Sequence, residues 1–225
     1  MLPKIITPEF ETVIPSCDRT IRFRPFLVKE EKILLMAMQG GEQKDIIRAI
    51  NQILENCVVD ELDPNSLTFF DYEFLFLQIR SKSVGEISEF AIKHDCDNNI
   101  DISLNLEEVK VKGNIQDTIE ISGDIAAKVR YPSIEQISNI KDESVDTVLN
   151  LFADCIVSVY DSNEVYDFDK KELKEWIETL PQSAAKNIVE FFQNMPKLSH
   201  ELKGTCPHCN EEYSQTLEGL QSFFQ

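Results

Sequence analysis

The sequence lacks any long apolar run and any excess of basic charge. No stretch reaches the roughly 18 apolar residues that a membrane-spanning helix needs, so no membrane span is expected. The 225 residues include 40 acidic and only 22 basic side chains, which gives a net charge of −18. Such a surface repels phosphates, so nucleic-acid binding is not expected either. The acid excess fits two alternatives, solubility alone or docking onto basic surfaces of partner proteins.

The sequence also lacks the common motifs of catalysis. It has no glycine-rich phosphate loop and no GxSxG elbow, and its three histidines lack the context of a catalytic dyad. An acidic stretch that starts at Asp161 resembles a calcium loop, but Tyr166 stands at the sixth place, where that loop needs glycine. We therefore predict that the protein is not an enzyme.

The cysteines indicate a reduced compartment. The N-terminus lacks the apolar core of a signal peptide, and six cysteines without such a signal argue for free thiols in a cytoplasm. Cys17, Cys57 and Cys155 lie in apolar surroundings and are expected to be packing residues.

A cysteine pair near the C-terminus, Cys206 and Cys209 in the order Cys-Pro-His-Cys, has the usual form of a zinc knuckle. One knuckle supplies only half of the four ligands of a structural zinc. Shifting the C-terminal segment back by 110 positions places Cys206 on Cys96 and Cys209 on Asn99. We interpret the two segments as halves of a split zinc-ribbon-like module that has lost one ligand.

The candidate metal ligands are the thiolates of Cys96, Cys206 and Cys209, with His94 or His208 as the fourth. His94 lies two positions from Cys96, which would place both on one face of a strand. A structural zinc and a metal-free turn whose strands still pair both remain open. In either case we predict that Cys96 lies close to Cys206 and Cys209.

The pattern of apolar residues predicts an α+β fold. It indicates a mainly helical body with a small antiparallel sheet, completed by the zinc-ribbon-like module of the middle and C-terminal β segments. We predict one integrated domain over residues 1–225. Within it we expect an N-terminal hairpin with helices (1–84), a β insert (85–131), a helical part (132–196) and a C-terminal knuckle with a β tail (197–225).

Two helical segments are predicted with particular consequences. The segment that contains Phe70, Phe74 and Leu77 is apolar on nearly every face, so we expect it in the core or at an interface. A further helix is predicted from Glu143 to Tyr160, with its apolar residues on one stripe.

The C-terminal tail carries the apolar residues Leu220, Phe223 and Phe224. Aromatic side chains this close to a terminus would fray unless they were packed. They are therefore candidates for binding a partner, and the alternative is that they pack on the protein's own body.

Three blocks resemble the T4-type phage baseplate hub assembly family: residues 24–35 (RPFLVKEEKILL), residues 70–77 (FDYEFLFL) with 80–86 (RSKSVGE), and the closing Cys-Pro-x-Cys with residues 217–224. The resemblance implies a non-enzymatic structural component of the central hub of a contractile tail baseplate. It implies other hub and tail proteins as partners, and a virion location after assembly in the host cytoplasm. The alternatives are a hub assembly chaperone that leaves before the virion is complete, and a cellular zinc-ribbon adaptor.

Overall fold

The computed structural model of the protein describes residues 3, 6–140, 142 and 144–223. This part of the chain contains eleven strands and seven α-helices. In chain order they are β1 (Phe10–Ile14), β2 (Arg19–Phe23), α1 (Val28–Gly40), α2 (Gln43–Cys57), α3 (Phe69–Val84), β3 (Ile87–Lys93), β4 (Asn99–Asn105), β5 (Lys110–Lys112), β6 (Thr118–Ser122), β7 (Ile125–Val129), α4 (Ile134–Ser138), α5 (Val145–Cys155), β8 (Ile156–Tyr160), β9 (Val165–Tyr166), α6 (Lys170–Glu178), α7 (Gln182–Gln193), β10 (Lys197–Thr205) and β11 (Glu212–Glu218).

The chain divides into two compact units. Unit 1 combines Met1–Lys112 with Lys197–Gln225, and unit 2 is the continuous segment Gly113–Pro196. Unit 2 therefore joins the last part of the predicted β insert to the predicted helical part. The single integrated domain over residues 1–225 stays a prediction, and limited proteolysis between the units would test it.

The N-terminal hairpin of unit 1 was predicted from sequence and is confirmed. β1 pairs antiparallel with β2, with Phe10 opposite Phe23. The apolar helix predicted around Phe70 is also confirmed as a buried element. It is α3, which begins after Thr68, whose side chain accepts a hydrogen bond from the backbone N–H of Asp71. Phe70 and Leu77 are buried, whereas Phe74 is half-buried.

The β segments of unit 1 form separate sheets, so the single small sheet predicted from sequence is wrong. β3 pairs only with β4, whereas β10 lies between β11 and β5 in a three-stranded antiparallel sheet. β5 of the predicted β insert pairs with the first three residues of β10, so the middle and C-terminal β segments share this one short ladder. The hairpin of β3 and β4, which leads to Cys96, pairs with neither β10 nor β11.

Unit 2 contains a four-stranded antiparallel sheet in the order β6-β7-β8-β9, with α7 packed on β6. The long helix predicted to reach Tyr160 is wrong in its second half. α5 ends at Cys155, and the next five residues form β8, which pairs with β7. Three of these five residues are β-branched, which favours a strand over a helix. The predicted start of this helix, Glu143, lies outside the described residues.

The α+β class is thus confirmed, and the described residues form four small antiparallel sheets in place of one. Within the described ranges, no helix combines the length and the apolar character needed to cross a membrane.

Candidate metal centre

Four of the predicted ligands meet at the turn ends of two hairpins of unit 1. His94 and Cys96 follow β3, and Cys206 and Cys209 follow β10. The Cys96 Sγ atom lies 3.7 Å from the Cys206 Sγ atom and 3.2 Å from His94 Nδ1, and Cys209 Sγ lies 3.6 Å from the same nitrogen. All four ligand atoms lie within 4.8 Å of one another. The predicted proximity of Cys96 to Cys206 and Cys209 is therefore confirmed.

The turn between β3 and β4 brings His94 and Cys96 together. The backbone N–H of His94 donates to Asn98 O at 2.9 Å, and the N–H of Asp97 donates back to His94 O at 2.9 Å. Asp97 has a left-handed backbone with φ 63°, which aspartate tolerates better than most residues.

The turn between β10 and β11 has a closely related structure. The N–H of Cys206 donates to Glu211 O at 2.8 Å, and the N–H of Asn210 donates to Cys206 O at 2.9 Å. Asn210 has a left-handed backbone with φ 61°, directly after Cys209. Each turn thus opens on one ligand, and each places a left-handed residue directly after its second ligand.

This equivalence corrects the alignment predicted from sequence. His94 corresponds to Cys206, because the backbone groups of both residues make the hydrogen bonds that close their turns. Cys96 corresponds to Cys209, because each directly precedes the left-handed residue of its turn. The first turn is one residue shorter, so a shift of 110 positions matches the wrong residues. In this alignment the counterpart of Cys209 is Cys96 rather than Asn99, and His94 is the fourth member of the cluster.

The electrostatics of the cluster favour a thiolate at Cys96. The side-chain amide of Asn98, then its backbone N–H, and then His94 donate to the sulfur and lower the pKa of the Cys96 thiol to about 6. At Cys209 the backbone hydrogen bond at Glu211 lowers the pKa, but burial and the neighbouring thiols outweigh it and raise the pKa to about 11. Negative charge on sulfur atoms this close together is repulsive, and a cation between them would offset the repulsion.

The remaining histidine and cysteine candidates lie outside this cluster. His208 is exposed, and its Nε2 lies 3.2 Å from the backbone oxygen of Asn99. Cys57 and Cys155 are buried, and burial raises the pKa of their thiols to about 11 and about 12 respectively, as expected for packing residues. Cys17 is exposed, so its predicted packing role is wrong.

The C-terminal turn, residues Leu220–Phe223, packs on unit 1 itself. Leu220 and Phe223 are buried. The N–H of Leu220 donates to Glu73 Oε1 at 3.0 Å, and Ser88 Oγ donates to the carbonyl of Phe223 at 2.9 Å. For Leu220 and Phe223 the structure therefore shows the alternative in which the tail packs on the protein's own body. A role in binding a partner stays a prediction, and Phe224 lies outside the described residues.

Glu73 makes the C-terminal turn sensitive to pH. Burial raises the pKa of Glu73 above its ordinary value of 4.5, although the Leu220 N–H opposes the shift. Because the folded state holds this proton more tightly than the unfolded state does, the carboxyl destabilises the fold as the pH rises through the raised pKa. We expect Glu73→Gln to match the wild type in stability at low pH and to gain relative to it as the pH rises towards neutrality. Urea denaturation at several pH values measures the free energy of unfolding of both proteins. A difference between them that does not change with pH would contradict the prediction.

α1 presents a feature that the sequence analysis missed. Its inner side is fixed by the fully buried Glu30, which pairs with Arg24 at 3.1 Å and accepts the N–H of Leu27 at 2.7 Å. The outward side exposes four large apolar side chains, which together are called the apolar face of α1: Val28, Leu35, Met36 and Met38. Lys32 and Gln39 are exposed among them. The sequence signal was the run of residues 33–38, all six of which are apolar and so cover every side of the helix.

The fold and the cluster define a small α+β protein with a His-Cys-Cys-Cys site that can hold a metal ion. A family model described as T4 bacteriophage base plate protein matches the chain over residues 7–225. The protein belongs to that family, which supports a structural role in the baseplate of the phage tail. No curated protein and no solved structure gave a match.

Proposed function

We propose that the protein is a structural component of the central hub of a contractile phage tail baseplate and acts in assembly through protein–protein contacts. The observation that carries the proposal is the family match over nearly the whole chain. The role requires no reaction at the metal cluster, and it requires surfaces that partners can cover.

The apolar face of α1 is the surface that best fits such a contact. Met36 and Val28 are 62% and 81% exposed, and they lie together with Leu35 and Met38 on one helix. Several large apolar side chains exposed on one helix favour burial against another protein. The net charge of −18 favours a hub protein whose apolar patch is bordered by basic side chains.

Met36→Glu is expected to abolish or strongly weaken co-assembly with the other hub proteins while the isolated protein stays folded. The reason is that a charge buried in an apolar contact is costly, whereas the same charge on an exposed helix is not. Val145→Glu is the matched control, since Val145 is 61% exposed and lies on α5 in unit 2. Co-purification of the co-expressed hub proteins gives the result. If Met36→Glu and Val145→Glu co-purify with the hub proteins to the same extent, the apolar face of α1 has no role in the contact.

The choice between a virion subunit and an assembly chaperone depends on whether the protein stays in the phage. Mass spectrometry of purified virions decides it: a stoichiometric amount supports the subunit, and absence supports the chaperone. The baseplate family membership argues against a cellular zinc-ribbon adaptor.

We further propose that the cluster holds a structural zinc ion. In a tetrahedral site with Zn–S distances of ~2.3 Å, neighbouring sulfurs lie ~3.8 Å apart and a sulfur and an imidazole nitrogen lie ~3.6 Å apart. The Cys96–Cys206 and His94–Cys209 separations of 3.7 and 3.6 Å agree with these values, and the His94–Cys96 separation of 3.2 Å is shorter than they predict. Three thiolates and one imidazole favour zinc over magnesium or calcium, which prefer oxygen ligands. Four protein ligands fill the coordination sphere, as structural sites do.

Protein purified without chelators is expected to contain about one zinc per chain. Cys209→Ser should lose most of this metal, because it removes one of the four ligands. Cys17→Ser, the same substitution at an exposed cysteine outside the cluster, should retain it. Elemental analysis measures the content, and a metal-free wild-type protein would rule out the zinc site.

A further inference from the structure

The two turns that carry the ligands meet at their tips without a shared sheet. The first tip comprises residues 94–99 and the second tip comprises residues 206–211. Their hairpins belong to different sheets. Among the described residues, the polar contacts between the tips are those at the ligand atoms and a His208 Nε2 to Asn99 O contact of 3.2 Å. The His94 ring also lies edge-on to the ring of Tyr213 in β11, with centroids 6.2 Å apart. The join therefore depends on the ligands rather than on a strand ladder.

The tips also lack an apolar core of their own. Cys206 is fully buried, but the side chains around it are mostly exposed. These exposed neighbours are Lys93, Asp95, Asp97, Thr205, Pro207 and Asn210. Little apolar area is therefore removed from water where the tips meet, so the hydrophobic effect contributes little to holding them together.

The bases of the same hairpins are held independently of the ligands. Buried side chains line all four strands: Phe90, Ile92, Ile100, Leu104, Leu198, Leu202 and Leu217. Ile92 and Ile100 pair with each other next to the first tip, and the others lie further from the ligands. β10 also pairs with β5 at its first three residues. The hydrogen bond from Ser88 to Phe223 joins β3 to the C-terminal turn.

We propose that the metal ion is a local clamp that joins the two tips, and that its release opens the tips while the bases stay folded. This inference rests on the proposed zinc site and concerns its control of conformation. Many small zinc modules unfold when the metal leaves, because the metal supplies most of their stability. Here the apolar bases supply that stability, so metal occupancy decides whether the tips form one joined surface or two separate loops.

Hydrogen exchange measured by mass spectrometry tests the clamp on the full-length protein. The samples are the zinc-loaded wild type, the wild type after treatment with a chelator, Cys209→Ser, and Cys17→Ser as the matched control. Metal loss should speed exchange about tenfold or more in peptides covering the two tips. The amides expected to respond include those of His94 and Cys206, which close the two turns. Peptides from the bases and from the C-terminal turn should change by less than about twofold, and adding zinc back should restore the tips.

The outcomes separate this inference from the zinc proposal. A wild-type protein without bound metal would contradict the zinc site itself. If zinc is bound and its removal speeds exchange throughout unit 1, the metal supports the whole unit and the local clamp is wrong. If zinc is bound and the tips stay protected after its removal, the tips are held by other contacts and the clamp is wrong as well. Fast exchange confined to the tips supports the clamp.

Discussion

Replacing Phe70 with Ala is expected to lower the free energy of unfolding of unit 1 by about 3–5 kcal/mol. Phe70 is fully buried in α3, and its ring lies edge-on to that of Phe69 with centroids 5.6 Å apart. Truncation to alanine removes apolar burial and leaves a cavity that tight packing allows to close only in part. Urea denaturation followed by circular dichroism measures the change.

Phe74→Ala is the comparison for this effect. It makes the same substitution one helical turn further along α3, at a half-buried side chain. We expect a clearly smaller loss of stability, because part of the Phe74 side chain already contacts water. Equal losses at the two positions would show that α3 is not oriented with Phe70 towards the core.

Phe223→Ala should cost a comparable amount, about 3–5 kcal/mol, because this aromatic side chain is fully buried only two residues from the C-terminus. Gln221→Ala, on the exposed side of the same turn, should stay within about 0.5 kcal/mol of the wild type. Urea denaturation followed by circular dichroism measures the free energy of unfolding of both variants.

Deleting the chain from Leu220 onwards tests whether the tail is core or partner-binding. We expect the truncated protein to lose much of the stability of unit 1, because Leu220 and Phe223 pack on that unit. If it instead folds with unchanged stability and fails to enter hub complexes, the tail is a partner-binding element and self-packing is not its role. If the truncated protein folds with unchanged stability and also assembles normally, the tail is neither part of the core nor a partner-binding element.

Local patterns predicted most elements of unit 1. The pattern of apolar residues predicted the N-terminal hairpin, which is β1 and β2, and the apolar helix around Phe70, which is α3. The error at β8 arose because Ile156 and Val159 also fit the helical stripe that starts in α5. Periodicity cannot show where a helix gives way to a strand when apolar residues satisfy both patterns. Pairing of β5 with β10 joins residues more than eighty positions apart, which a local pattern cannot indicate.

The predicted proximity of the four cluster residues is confirmed, but part of its reasoning was wrong, and their role as metal ligands stays a prediction. Strand alternation favoured His94 as the fourth ligand, but His94 and Cys96 lie in a turn, where backbone hydrogen bonds bring them together. The repeat argument matched cysteine to cysteine and so treated Asn99 as a lost ligand. The signal available in the sequence was the residue after each second ligand, Asp97 and Asn210, since these types favour the left-handed backbone that both turns need.

The insertion of unit 2 between β5 and β10 has a consequence for synthesis of the chain on the ribosome. Unit 2 is continuous in sequence, so all of it is available to fold once Pro196 has emerged. Unit 1 is still incomplete at that stage, because β10, β11, the C-terminal turn, Cys206 and Cys209 have yet to be made. Metal capture by the four proposed ligands would therefore be among the last events in the maturation of the protein. A nascent chain arrested before Lys197 would hold a finished unit 2 beside a half-built unit 1 that has only His94 and Cys96 to offer.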